Sequence, residues 1–145
     1  MVFADSLKSF EQLLDVSSPK SMSLKEQETL YSAAFGLYEI GNYPRACDLF
    51  GKLVLHNPYE IRFWKGVAST QQMQKNYREA LHAWAITSLL SGHEPSAHFH
   101  AAECYLSLGE IEEAKKALKC AQLHLKEENP LFGKIKQLNF QVENG

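Results

Sequence analysis

Leu30-Tyr31-Ser32-Ala33-Ala34, Trp64-Lys65-Gly66-Val67-Ala68 and His98-Phe99-His100-Ala101-Ala102 stand 34 residues apart. At that offset the chain aligns with itself in further columns. Tyr43, Tyr77 and Ile111 form one, Ala46, Ala80 and Ala114 another, and Phe50, Trp84 and Leu118 a third. Alanine fills every copy of two columns, and bulky apolar residues fill the last. Self-similarity at a fixed period of this length is the mark of a stacked-repeat architecture.

The columns have a physical reading. Two alanines per unit sit where two helices approach closely, because only a small side chain lets the backbones pack tightly. The bulky residue four positions after the second alanine reaches toward the next unit. Gly41 and Gly109 fall between the helices, where glycine takes positive φ cheaply; Lys75 holds that column in the middle copy. This pattern resembles the tetratricopeptide repeat, two antiparallel helices per unit. The expected fold is all-α: three helix pairs (about 27–60, 61–94 and 95–128) stacked as a solenoid within residues 21–145. Ser23-Leu24-Lys25-Glu26 reads as a capping box opening the first pair. Asn57-Pro58 reads as an N-cap with proline at the first helical position of the second pair, and Glu94-Pro95 precedes the third. Asn129-Pro130 starts a C-terminal helix over about 130–143 that caps the stack.

Residues 1–20 are a separate segment, with Phe3, Leu7, Phe10, Leu13 and Leu14 at helical spacing before the linker Val16-Ser17-Ser18-Pro19-Lys20-Ser21. An amphipathic helix must bury its stripe. Two destinations are open: the first repeat, or a second copy, in which case Phe3, Leu7, Phe10 and Leu14 form a homodimer contact.

Composition narrows the function. The 145 residues are 45% hydrophobic and 22% charged, with a net charge of −2 and no basic stripe, which argues against nucleic acid or an anionic membrane as partner. No apolar run approaches the roughly 20 residues of a membrane span, and Met1-Val2-Phe3-Ala4-Asp5 lacks the basic start of a signal peptide. Three scattered cysteines, Cys47, Cys104 and Cys120, suit a reducing cytoplasm. There is no phosphate loop, nucleophile motif or paired-carboxylate spacing, so no catalysis and no cofactor are expected. His98 and His100 point to different sides of a helix, so no metal is expected either.

In the first helix, residues advance about 100° each around the axis. Leu30, Ala34 and Leu37 therefore share the core face, while Tyr31, Phe35 and Tyr38 lie roughly 90° away, toward the concave side of the solenoid. Phe99 and Lys65 occupy the Tyr31 column of the other two repeats, and Arg62, Gln72, Met73, Glu103 and Leu106 complete the expected groove. Such a surface suits an extended peptide whose apolar side chains enter aromatic pockets. Two or three anchors at about 1.5–3 kcal/mol each, less the ordering cost, imply roughly micromolar affinity. The lysines and asparagines with which other repeat proteins clamp a C-terminal carboxylate are missing from the corresponding positions, Tyr31, Phe35, Gly66, Ser96 and His100. A generic interaction scaffold with no unfolded client is the remaining alternative.

Several stretches are more specific. Leu30-Tyr31-Ser32-Ala33-Ala34-Phe35 with Tyr38, Gly41-Asn42-Tyr43, Tyr59 with Arg62-Phe63, and Phe99-His100-Ala101-Ala102-Glu103-Cys104 followed by Gly109-Glu110 resemble the class II chaperones of bacterial type III secretion. The likeness covers about residues 24–125. The resemblance implies a cytoplasmic bacterial chaperone that holds a secreted translocator by a Pro-x-Leu-x-x-Pro-like segment and keeps its hydrophobic regions from aggregating or inserting prematurely. It also implies pocket roles for Tyr31, Phe35, Tyr38 and Tyr59 and an N-terminal dimer helix. Trp64-Lys65 and Ser69-Thr70-Gln71-Gln72-Met73 depart from the family's pattern, which leaves the partner open, a secretion gatekeeper included.

Overall fold

The computed structural model describes residues 22–92, 94–123 and 125–144. Seven helices run through them: α1 (Leu24–Glu39), α2 (Tyr43–His56), α3 (Ile61–Met73), α4 (Tyr77–Leu90), α5 (Pro95–Ser107), α6 (Ile111–Leu123) and α7 (Leu131–Asn144). No strand occurs among the described residues. The fold is the tetratricopeptide-repeat type. The N-terminal stripe of Phe3, Leu7, Phe10 and Leu14 lies outside the described residues.

All six column alanines (Ala34, Ala46, Ala68, Ala80, Ala102, Ala114) are completely buried. Their role is geometric: α1 packs on α2, and α5 on α6, at a separation a larger side chain would prevent. The bulky column is buried too, at Phe50, Trp84 and Leu118. Phe50 reaches from α2 onto Gly66 of α3. Leu118 of α6 meets Ile135 and Val142, the buried face of α7, so the last helix covers apolar surface that α6 would otherwise expose. Cys47 and Cys104 are buried free thiols, and burial pushes the Cys104 thiol up to about 12.

Three turns share one device. After α1, Asn42 N–H donates to Leu37 O and Gly41 N–H to Tyr38 O, with Gly41 at φ +84°. After α3, Asn76 N–H donates to Gln71 O and Lys75 N–H to Gln72 O, with Lys75 at φ +66°. After α5, Glu110 N–H donates to Tyr105 O and Gly109 N–H to Leu106 O, with Gly109 at φ +77°. Each is a Schellman motif, which satisfies carbonyls the helix end leaves open. Lys75 is the one positive-φ residue other than glycine among the described residues, and it carries the strain that glycine avoids.

The helix starts bring one correction. Ser23 Oγ accepts the Glu26 N–H at 3.1 Å, as its spacing predicts, and Asn129 Oδ1 accepts the Leu131 N–H at 2.9 Å at the start of α7. Asn57, however, does not start α3. It ends α2, its N–H donating to Leu53 O, while its side-chain amide donates to Gln27 Oε1 at 3.3 Å. Glu60 is the cap of α3, accepting the Arg62 N–H, and Pro58 lies in the connecting loop. A side chain committed to Gln27 is unavailable to a helix terminus.

The described residues form two compact units, one up to Ala83 and one from Trp84 on, divided inside α4.

Candidate peptide-binding pocket

Tyr31, Phe35 and Tyr38 come one turn apart along α1, and in the first unit their rings are not absorbed by the core. Phe35 is 46% exposed, and Tyr31 and Tyr38 are half-buried. Together with Phe50 of α2 and Arg62, Lys65, Gly66 and Ser69 of α3 they line a cavity of about 220 Å³. Tyr31 is its hub. Its ring centroid lies 6.2 Å from that of Phe35 in a stacked arrangement, 5.8 Å from Phe50 edge-on, and 5.8 Å from Phe63. Tyr38 packs edge-on against Tyr43 at 5.4 Å, and burial, then the neighbouring Tyr43, raises the pKa of its hydroxyl, which stays neutral at physiological pH.

Arg62 braces one wall. Its guanidinium bonds Glu28 of α1 through both nitrogens, at 2.6 and 3.3 Å, and its Nε donates to Glu60 at 3.2 Å. The same group lies 4.7 Å above the Tyr31 ring. Hydrogen bonding to Arg62 lowers the Glu28 pKa, and the two carboxylates raise that of Arg62, which remains charged throughout. Both partners are well exposed, so the pair adds little to stability. Its effect is positional: it ties α1 to α3 beside the cavity and holds the cation over the Tyr31 ring.

An apolar floor rimmed by hydroxyls and cations is suited to holding an apolar side chain by burial and its backbone by hydrogen bonds. An apolar cavity of about 150 Å³ holds a benzene ring, so one or two side chains of leucine or proline size fit here. Among the described residues no cluster of His, Cys, Asp or Glu could hold a metal, and no helix is long and apolar enough to cross a membrane.

Comparison with known proteins bears on the fold and the family. Residues 39–121 match the family model described as anaphase-promoting complex, cyclosome, subunit 3. The chain is similar to the Yersinia enterocolitica type III secretion translocator chaperone SycD, solved with a peptide of the translocator YopD: 30% identity, TM-score 0.79, covering 86% of this chain and 95% of that one. The chain belongs to the class II translocator chaperones of type III secretion. It is also similar to PcrH of Pseudomonas aeruginosa, solved in complex with the chaperone binding region of PopD (26% identity, TM-score 0.76, 88% and 96% covered). The low calcium response locus protein H of Yersinia pestis is 38% identical over 95 residues. That match takes in 66% of this chain and 56% of the length of the curated relative.

In this class II chaperone the expected groove residues are distributed unevenly. Tyr31, Phe35, Tyr38, Arg62 and Lys65 converge on one cavity. Tyr59, 80% exposed in the loop before α3, and Met73, exposed at the end of α3, do not line it. Phe99 is a correction: it is 6% exposed and packed among Ala102, Ala117, Leu118 and Ile135. Its column lies at the margin of the core, since Tyr31 already touches the buried Phe50 and Phe63. A phenylalanine, with no hydroxyl to keep in contact with water or a partner, sinks the rest of the way. Leu106 is half-buried against the same cluster, and Glu103 accepts a hydrogen bond from His100 Nδ1 at 2.7 Å. Sequence reasoning missed Phe50, Gly66 and Ser69 as lining residues. Phe50 reads as core from its column, and a glycine leaves no side-chain signal.

Proposed function

We propose that this protein is a cytoplasmic chaperone that binds an extended segment of a secreted, hydrophobic translocator through the Tyr31–Phe35–Tyr38 pocket and keeps it soluble until export. One observation carries the reading: a cavity floored by aromatic rings that the protein's own core leaves unfilled, in the repeat unit where the aromatic stripe of α1 meets α3. Chaperones similar to this one, SycD and PcrH, were solved with a peptide of YopD and with the chaperone binding region of PopD, which supports a segment of the same class as ligand here. Apolar anchors supply the affinity by burial. Arg62, Lys65 and Ser69 on the rim are placed to bond the segment's carbonyls and polar side chains.

The test is co-expression with secreted proteins of the same bacterium, followed by identification of the co-purifying partner and its bound segment. Phe35→Glu, at a position already 46% exposed, puts a charge into the pocket while sparing the core. It should weaken client binding at least tenfold with unchanged helicity. Tyr31→Ala, Phe35→Ala and Tyr38→Ala combined should abolish it. Wild-type binding by both variants would remove the pocket from the mechanism.

A further inference from the structure

Two pairs of residues occupy the same two repeat columns, and they are built oppositely. Each joins a buried aromatic to the residue 16 positions on: Phe50 with Gly66, and Trp84 with His100. In the second unit the His100 ring stacks on Trp84, with centroids 4.7 Å apart and planes 24° apart, and its Nδ1 bonds Glu103 at 2.7 Å. A side chain covers the indole. In the first unit the covering side chain does not exist. The Phe50 ring lies so close to the α3 backbone that a Cβ on Gly66 would stand 2.3 Å from its Cδ1 and 2.4 Å from its Cγ. Any side chain at 66 must therefore move that ring. Phe50 is 2% exposed and braced edge-on by Tyr31, so the space open to it is the cavity that Phe50 and Gly66 both line.

We propose that Gly66 is a specificity-determining residue of the pocket: by omitting a side chain it seats the Phe50 ring against α3, leaving a depth that selects a branched aliphatic anchor, leucine in size, over a smaller one. This rests on the function proposed above and adds to it the residue that sets anchor size. Alanine at 66 pushes the ring into the cavity and makes it shallow. Alanine at 50, which carries neither the Cγ nor the Cδ1 that the new methyl group would meet, makes room for it and restores the depth. Replacing glycine by alanine within a helix also favours the helix, which helps the single variant to fold.

The experiment compares wild type, Gly66→Ala and the double variant Gly66→Ala/Phe50→Ala. The peptide probe is a fluorescein-labelled synthetic Pro-Ser-Leu-Ser-Ser-Pro and its counterpart with alanine for leucine, read by fluorescence anisotropy. Xenon, read by its chemical shift on titration with each protein, reports cavity size without any peptide. Wild type should prefer the leucine peptide by at least about tenfold, since the alanine peptide forgoes the burial of three carbons. Gly66→Ala should bring the preference within about threefold and reduce xenon binding by a comparable factor, and the double variant should recover both. An undiminished leucine preference, or undiminished xenon binding, in Gly66→Ala would overturn the proposal while leaving the chaperone reading intact. If wild type binds neither peptide, the peptide-binding reading fails, and the xenon titration alone decides whether Gly66 sets the depth of the cavity.

Discussion

Phe50 and Trp84 are repeat equivalents, each an aromatic ring at the same point of the second helix of its pair, yet one underlies an open cavity and the other lies beneath a histidine ring. The backbones around them are alike: the alanine columns are buried in both units and the helix ends close with the same Schellman turn. The difference comes from one residue on the following helix, Gly66 in the first case and His100 in the second. Repetition therefore sets the scaffold. Single side chains facing the core ring decide where that scaffold is open to a ligand.

The largest test of this contrast is removal of the rings themselves. Truncating a large buried aromatic to alanine costs about 3–5 kcal/mol, depending on how far the site can collapse. Trp84→Ala should fall in the upper part of that range and Phe50→Ala in the lower part, because Phe50 already borders a cavity. Thermal or denaturant unfolding ranks them, and the reverse order would break the comparison. Next in size, His100→Gly should uncover Trp84. Losing the stack and the Glu103 hydrogen bond, together with glycine's cost in a helix, should lower stability by about 1–2 kcal/mol. The indole should become accessible to acrylamide quenching; unchanged quenching would mean that something other than His100 covers it.

Smaller effects probe what the units share. Lys75→Gly relieves a left-handed backbone at φ +66° and should stabilise by about 1 kcal/mol, whereas Gly41→Ala or Gly109→Ala should destabilise by a similar amount. Opposite signs at equivalent positions would show that the three turns are interchangeable. The smallest effect concerns the brace beside the first pocket. Arg62 depresses the Glu28 pKa below the ordinary glutamate value of 4.5, so the bond is fully present above that value and is lost as pH falls through the depressed one. Client affinity measured from pH 7 downward should stay flat to about pH 5 and weaken only below it, and Glu28→Gln should remove that step.

Much of this was legible in the chain. The 34-residue columns place the alanines, the bulky inter-repeat residues and the turn positions correctly, because close helix packing and positive φ each admit few residue types. The aromatic stripe of α1 was readable for a similar reason: Leu30, Ala34 and Leu37 claim one face and leave Tyr31, Phe35 and Tyr38 beside it. Two assignments were not legible. Asn57-Pro58 has the composition of a helix start, but the Asn57 amide is engaged by Gln27, thirty residues earlier. Phe99 shares a column with Tyr31, but its surroundings come from α6 and α7, which the column does not encode.

Sequence alone thus determined the period, the all-helical class and the first-helix stripe, since each follows from local sterics and helical geometry that act within a few residues or recur at a fixed spacing. Tertiary structure decided the pocket. Its depth depends on the Phe50 ring meeting a backbone with no Cβ at Gly66, and a void is defined by atoms from separate helices that happen not to fill it.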